Sequence, residues 1–300
     1  MSATVDLPVG TGADGAQAAQ PGRVGLSPLL VIGLAVVGLV VLVALLAPLL
    51  VSYNPQTVDL KARAMETPSA RHWLGTDNPG RDIFAQLVYG TRASLIAAVV
   101  GGSLAMVGAI LFGVLPAVLN RSADAFSNRL MVFLLALPGL PLLIVIGSLA
   151  GDNAAVLILV IGFVGIAPNA RILRSQALAL RDRGFISAAR GFGGGPLYVL
   201  RRHVVPAMGP LVLIGFVNWA SVAVGLQAGL AFLGLGNPSA VSWGQMINRA
   251  LTQTNIYSSP MWAWWVLPAG FAITLTLLGF TFIGVALEPS FNPRWRRSPT

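Results

Sequence analysis

Residues 29–51 read LLVIGLAVVGLVVLVALLAPLLV, and none of them is charged. At 1.5 Å of rise per residue, a helix made from this stretch is about 34 Å long, which is enough to cross a hydrocarbon core of about 30 Å. A cleaved signal peptide has a shorter apolar segment of about 7–15 residues, followed by a small-residue cleavage site. This stretch has neither feature, so it predicts an uncleaved membrane-spanning helix.

The same apolar pattern recurs further along the chain, in stretches whose interiors contain no Asp, Glu, Lys, Arg or His. Prolines interrupt several of these stretches, which membrane helices tolerate. Charged residues make up 10% of the chain, against about 25% in a soluble domain. We therefore expect an all-α integral membrane protein with six transmembrane helices. Their expected ranges are 29–51, 93–119, 130–150, 154–170, 208–235 and 261–287.

The segments between these helices divide the rest of the chain. Residues 1–28 are rich in Gly, Ala, Gln and Pro and predict a disordered tail. The others are a loop over 52–92, a core over 93–287 that contains a second long loop at 171–207, and a tail over 288–300. If both termini lie inside the cell, most of the 19 Lys and Arg residues fall on the inner side, as membrane proteins prefer.

Tryptophans cluster near the expected outer boundary of the last helix. Amphipathic rings favour the membrane–water interface, so this cluster is typical of an interfacial belt. The residues concerned are Trp243, Trp262, Trp264 and Trp265.

Several functions are excluded by what the sequence lacks. The net charge of +9 is spread over many segments, so membrane loops explain it better than nucleic acid does. A proton relay needs ionisable residues within the membrane, and a P-loop needs a Gly-rich run ending in Lys, whereas Lys61 is the only lysine. We expect no catalytic site, metal site or cofactor in this chain, with ATP and Mg²⁺ held by partner subunits.

The loop at 171–207 is too apolar for a plain linker. Gly184 offers a break, a short helix is expected over 185–192, and the run from Gly193 to Pro196 ends it. Another helical piece at 197–205 leads to Pro206. The pattern fits either a rigid knob that a partner pushes or an ordinary interfacial loop. The residues expected mostly on one side of the short helix are Phe185, Ile186, Ala189 and Phe192.

A family resemblance favours the first interpretation. The run Ser187-Ala188-Ala189, then Gly193, then Val205-Pro206 resembles the EAA loop of bacterial ABC-importer permeases, in which Glu stands where this chain has Ser187. The resemblance implies a coupling helix that docks in a groove of the ATPase subunit. We hypothesise that helix-breaking changes at Ala188 or Ala189 would uncouple transport from ATPase activity. The implied coupling residues are Phe185, Ile186, Ser187, Ala188, Ala189, Arg190, Phe192 and Gly193.

The resemblance extends over about residues 29–294. Residues 72–77 (HWLGTD), 80–84 (GRDIF), 87–95 (LVYGTRASL), 232–236 (FLGLG) and 242–247 (SWGQMI) are similar to signatures of the dipeptide/oligopeptide/nickel permease group, above all its dipeptide C-type subunits. This implies a type I ABC-importer permease fold in the cytoplasmic membrane and import of di- or oligopeptides. The implied partners are a second homologous permease subunit, two ATP-binding subunits, an extracytoplasmic solute-binding protein and membrane lipid.

Three alternatives remain open at this point. Within the importer class, the substrate could be nickel or glutathione rather than peptide. A stand-alone secondary transporter is more distant, because it predicts intramembrane charges. A non-transporting membrane scaffold is opposed only mildly by the kinked, glycine-rich spans.

The fifth expected helix carries a stripe of small and polar residues. Asn218, Ser221, Gly225 and Gly229 recur at helical spacing, which indicates either a packing seam or a pore lining. Gln227 lies off that stripe and could contact the pore or another helix. An uncharged path binds peptide weakly, so specificity would come from the solute-binding protein.

The outer loops, 52–92 and 236–260, are the expected docking surface for that protein. Asp77, Arg81 and Asp82 are the candidates for this contact. The alternative is that these charged residues stabilise the loop internally.

Overall fold

A computed structural model of the protein describes residues 27–51, 53–58, 64–254 and 256–291. The predicted tail segments 1–26 and 292–300 lie outside the described residues. Nine helices run through the described ranges. They are α1 (Pro28–Leu50), α2 (Ile83–Leu119), α3 (Arg121–Ala136), α4 (Gly139–Leu149), α5 (Ala154–Arg181), α6 (Gly184–Gly191), α7 (Pro196–Phe232), α8 (Trp243–Leu251) and α9 (Met261–Phe291).

Five of these helices, α1, α2, α5, α7 and α9, are long and apolar enough to cross a membrane. Helices α3 and α4 pass the same test only as a pair, and they meet at a bend of 80°. The bend lies where Leu137 is extended (φ −75°, ψ 132°) ahead of Pro138, because a residue before proline is driven out of the helical region. The chain is thus an all-α membrane protein with six spans if the bent pair counts as one.

Several helices begin earlier than the apolar runs predict. Helix α2 begins at Ile83 instead of 93, because the side chain of Asp82 accepts a hydrogen bond from the Ala85 N–H at 2.6 Å and caps the helix. Asn120 likewise caps α3 by accepting from the Ala123 N–H at 2.8 Å. A hydropathy boundary falls at the nearest charge, whereas a helix begins at its cap.

The long loop predicted at 171–207 is mostly helical. Helix α5 continues to Arg181, and α7 begins at Pro196. Pro206 therefore does not end a helical piece: a π-helical turn at Leu200–Val204 precedes it, and the helix runs on. Proline has no N–H, so the carbonyl one turn before it loses its usual donor. A π-helical turn can accommodate that carbonyl within a membrane helix. Only residues 182–195, which contain α6, lie between the two long helices.

Helices α2, α5 and α7 form the centre of the bundle, with α9 packed against α7 and α1. Helices α2 and α5 approach closely at Gly113, where an added Cβ would overlap the carbonyl oxygen of Ala170. Small residues permit such contact between membrane helices. The bundle has two distinct ends, which we call the α6 end and the α8 end after the short helix at each.

Two of the four tryptophans of the predicted interfacial belt lie in the core of the α8 end, whereas Trp262 is 44% exposed. Trp243 and Trp265 are 2% and 1% exposed, and they pack with Ile83, Met246 and Ile256 in the apolar core of this end. The indole N–H of Trp243 donates to the carbonyl of Leu87 at 2.8 Å, which satisfies its polar atom inside the core. These rings therefore hold α8 against the bundle.

Candidate functional site

Helix α6 is a short helix with a defined end on each side. The backbone of Arg183 is extended before it (φ −78°, ψ 141°). After it, Gly193 has a φ of +84°, and hydrogen bonds run from the Gly194 N–H to the Ala189 carbonyl and from the Gly193 N–H to the Arg190 carbonyl. This is a Schellman closure, which requires a left-handed residue that glycine supplies most easily. The glycine of the predicted motif therefore terminates the helix.

The two faces of α6 differ in burial. Ile186 is fully buried in the apolar core of the α6 end, and Ala189 packs against the same core. Phe185 is 49% exposed and Phe192 is 94% exposed. Phe185, Ala189 and Phe192 line one groove, as the prediction that they lie mostly on one side requires, whereas Ile186 points into the core. Ser187 and Ala188 are also exposed. Helix α6 is therefore held by apolar contacts on the side that faces the bundle core.

Arginines tie α6 and α5 to the neighbouring helices. Arg190 Nη2 donates to the Val118 carbonyl at 3.3 Å, and Arg181 Nη1 donates to the Ala117 carbonyl at 3.4 Å. Arg174 makes a bidentate ion pair with Asp124 of α3, in which Nε and Nη2 donate to the two carboxylate oxygens at 2.6 and 2.8 Å. Such paired contacts fix orientation as well as distance.

An open groove lies beside α6. Its cavity measures about 590 Å³, and the rings of Phe185 and Tyr198 flank His203 at centroid distances of 6.2 and 5.7 Å. Phe192 and residues 193–195 line the rim. Together with the exposed phenylalanine, this groove gives the α6 end an aromatic surface beside several arginines.

The polar stripe of α7 faces α9. Ser221 Oγ donates to the Leu277 carbonyl at 3.3 Å, and a Cβ on Gly225 would lie 3.7 Å from the Leu277 side chain. Asn218 Oδ1 lies against Gly284. These contacts favour a packing seam over a pore lining, except at Gly229, where an added Cβ would meet nothing within 4 Å.

Gln227 lies in a different environment from the stripe. It lines a cavity of about 60 Å³ between α5, α7 and α8, together with Ser242 and Gln245. Its Oε1 is buried and has no hydrogen-bond partner among the described residues. The cavity is large enough for water, which would satisfy this acceptor.

Two of the three docking candidates are buried. Asp77 is 0% exposed and Asp82 is 5% exposed. Asp77 accepts hydrogen bonds from the Arg81 N–H at 2.7 Å and from Gln86 Nε2 at 3.0 Å, and Asp82 pairs with His72 Nδ1 at 2.7 Å. These contacts support the alternative that the carboxylates hold the loop together.

Asp77 belongs to a charged network that sequence reasoning missed. Arg249 of α8 donates to Gln86 Oε1 at 3.3 Å and to the Ala240 carbonyl at 3.3 Å. Burial raises the pKa of Asp77, while the Arg81 N–H, the Gln86 amide and the charges of both arginines oppose that rise. Burial also lowers the pKa of Arg249, aided by the charge of Arg81 and opposed by that of Asp77. The network ties the loop to α2 and α8.

We expect Asp77→Asn to lower the thermal unfolding midpoint of the purified protein. The asparagine amide would face the donor Nε2 of Gln86 and would leave Arg81 and Arg249 without a countercharge. A buried group left unpaired costs about 1–3 kcal/mol. The exposed Asp152 gives the matched control, Asp152→Asn, and equal midpoints for the two variants would contradict the structural role of Asp77.

A second missed residue is Arg92, which the apolar runs placed in a loop. It lies inside α2, where its Nε donates to the Ala44 carbonyl of α1 at 2.9 Å and its guanidinium lies 5.0 Å from the Tyr89 ring centroid. Pro48, four residues after Ala44, has no N–H to donate to that carbonyl. This proline was the available sequence signal that the carbonyl needs a donor from another helix. Among the described residues, no group of three His, Asp or Glu could hold a metal ion.

Comparison with known proteins covers most of the chain. Residues 109–297 match the model of the family "Binding-protein-dependent transport system inner membrane component", and residues 27–68 match the "N-terminal TM domain of oligopeptide transport permease C". The dipeptide transport system permease protein DppC of Alkalihalophilus pseudofirmus is 33% identical over 274 residues, which is 89% of this chain and 86% of that protein.

Two further relatives carry provisional names. One is a peptide permease protein of Brucella suis biovar 1, 37% identical over 266 residues, with 87% of each chain covered. The other is the D,D-dipeptide transport system permease protein DdpC of Escherichia coli K12, 33% identical over 272 residues, which cover 89% of this chain and 88% of that protein. The chain therefore belongs to the family of inner-membrane components of binding-protein-dependent transport systems.

Proposed function

We propose that this chain is a permease subunit that imports di- or oligopeptides across the cytoplasmic membrane, driven by ATPase subunits that push on α6. The observation that carries this proposal is the build of α6, in which Ile186 is fully buried while Phe192 is 94% exposed. A force applied to the exposed side of such a helix reaches the bundle core directly. Peptide is the preferred substrate because relatives named as peptide and dipeptide permeases cover most of the chain.

The ATPase would contact the surface formed by Phe185, Ser187, Ala188 and Phe192. Aromatic side chains dominate the energetics of protein interfaces, so Phe192 is the expected anchor, and the groove beside His203 would receive a side chain of the ATPase. The neighbouring arginines favour an acidic rim on that partner. In this arrangement ATP and Mg²⁺ belong to the ATPase, and this chain carries out no hydrolysis.

The remaining partners follow from the same placement. A second homologous permease would complete the transport path, and two ATP-binding subunits would serve the pair. With both termini inside the cell, the α6 end faces the cytoplasm and the α8 end faces outward. A solute-binding protein would then dock on the loops at the α8 end. The buried Asp77 and Asp82 would shape that surface from within, and Gln227 is the pathway candidate whose polar atom is not used in helix packing.

Reconstitution in vesicles tests this function. We expect the complete complex to accumulate peptide, and its ATPase to be stimulated by a solute-binding protein loaded with dipeptide or a longer peptide. Nickel- or glutathione-loaded protein should give no stimulation. Vesicles with this chain alone should accumulate none of these solutes, because the energy enters through the ATPase.

Two results would contradict the proposal. Solute accumulation by this chain alone would indicate a secondary transporter. Stimulation by nickel or glutathione without any response to peptide would keep the importer but change its substrate.

A further inference from the structure

Helix α2 ends without the glycine closure that ends α6 and α7. Its last residue is Leu119, and the next residue, Asn120, is extended (φ −162°, ψ 167°) and caps α3. By contrast, Gly193 and Gly234 have positive φ values after α6 and α7. The last four carbonyls of a helix have no intrahelical donor, so those at the end of α2 need donors from elsewhere.

Two arginines supply donors to these carbonyls. Arg181 donates to Ala117 and Arg190 donates to Val118, at 3.4 and 3.3 Å. Arg181 is the last residue of α5, and Arg190 belongs to α6. Both cations also face the negative end of the α2 dipole, where positive charge is favourable.

The two kinds of contact between α6 and α2 respond differently to movement. Ile186 packs in the same core as Val114 and Val118, so a push on α6 is transmitted through that packed apolar core. When α6 moves outward, apolar contacts lose much of their attraction within a gap of about 1 Å. A charge-assisted hydrogen bond remains attractive over a longer distance, because Coulomb energy falls only as the inverse of separation.

We infer that Arg190 is a positioning residue that makes the end of α2 follow α6 in both directions. This rests on the proposed function, in which the ATPase moves α6. Helix α2 is the element through which that movement reaches the α8 end, because Leu87 near its other end binds Trp243. Arg190 thus couples the movement of the transport path to that of the ATPase.

The test measures peptide molecules transported per ATP hydrolysed by the complete complex. Arg190→Ala should lower this ratio about fivefold, within the range for substitutions along a coupling network. Arg190→Lys should restore most of it, because lysine keeps the charge and a donor. Arg171→Ala, which removes an exposed charge from α5, should leave the ratio unchanged. Since Arg190 is itself exposed, complex yield should not change, and the thermal midpoint should change by much less than would account for the lower ratio.

A distance measurement separates coupling from a purely structural role. The chain has no cysteine, so spin labels can be placed at exposed positions of α6 and of the end of α2, and Leu119→Cys is the position on α2. The α6 label is better placed at Gly191→Cys than at Ser187, because Gly191 is exposed, has open space around its Cβ position and lies outside the proposed ATPase contact. With labels at 191 and 119, we expect one label distance with and without ATP in the complex that keeps Arg190, and two different distances after Arg190→Ala.

Three results would overturn the inference. An unchanged transport ratio in Arg190→Ala would show that the contact carries no coupling. A loss of thermal stability that accounts for the lower ratio would show a structural role. A label distance that changes with ATP while Arg190 is present would show that α2 does not follow α6. If the unaltered complex moved no peptide, the proposed function would fail, and the inference with it.

Discussion

Replacing Ala189 by proline is expected to abolish peptide uptake while leaving the complex assembled. Ala189 lies in the middle of α6, where its N–H continues the helix and its carbonyl accepts from Gly194 at 2.9 Å. Proline removes that N–H and clashes with the preceding turn, at a cost of about 3 kcal/mol. This corresponds to roughly a hundredfold loss of the intact helix. Uptake by vesicles containing the complete complex, normalised to the assembled amount, measures the effect.

The same substitution at the start of α6 provides a matched control. Gly184 is the first helical residue, its preceding residue Arg183 is extended, and an added Cβ there meets nothing within 4 Å. Proline is favourable at this position, because the N–H of the first helical residue has no intrahelical acceptor. Gly184→Pro should therefore transport normally. Normal uptake by an assembled Ala189→Pro complex would refute the role of α6 as a lever.

The class of fold could be predicted from the sequence because hydropathy is a property of whole segments. Long uncharged runs identified the spans, but their ends depended on single side chains. Asp82 caps α2, so the helix begins ahead of Arg92. Arg92 can lie within the helix because a carbonyl of α1 accepts a hydrogen bond from it. Pro206 was expected to end a helix, but a π-helical turn precedes it and the helix continues. Hydropathy carries no signal for such tertiary contacts.

The candidate sites were predictable to different degrees. The short helix α6 followed from its glycines and from family resemblance, yet the helical pattern alone did not separate the buried Ile186 from the exposed Phe192. The carboxylates at 77 and 82 appeared available to a partner because charge usually indicates exposure. Asp82 pairs with the nearby His72, but Asp77 is paired with the amide of Gln86, which in turn accepts from the distant Arg249. Local patterns do not reveal a pairing over such a sequence separation.

Replacing Gly244 by alanine is expected to cause a large loss of stability at the α8 end. A Cβ there would overlap the backbone oxygen of Ala228 in α7, and backbone cannot move aside as a flexible side chain does. Overpacking of this kind costs about 1–3 kcal/mol and occasionally more. Because α8 also carries the buried Trp243, we expect the whole helix to detach, with a lower thermal midpoint and a lower yield of assembled complex.

The control for this prediction lies one residue along α7 from the contact. Gly229 has open space around its Cβ position and adopts an ordinary negative φ, so Gly229→Ala should be tolerated or slightly stabilising, by up to about 1 kcal/mol. Helix propensity alone would change the stability of both variants in the same direction. A loss of stability in Gly244→Ala without a loss in Gly229→Ala would therefore exclude helix propensity as the cause. If both variants lost stability equally, the close approach of α8 to α7 would not explain Gly244. Since α8 bridges α2, α7 and α9, a loss confined to Gly244→Ala would show that this short helix holds the α8 end together.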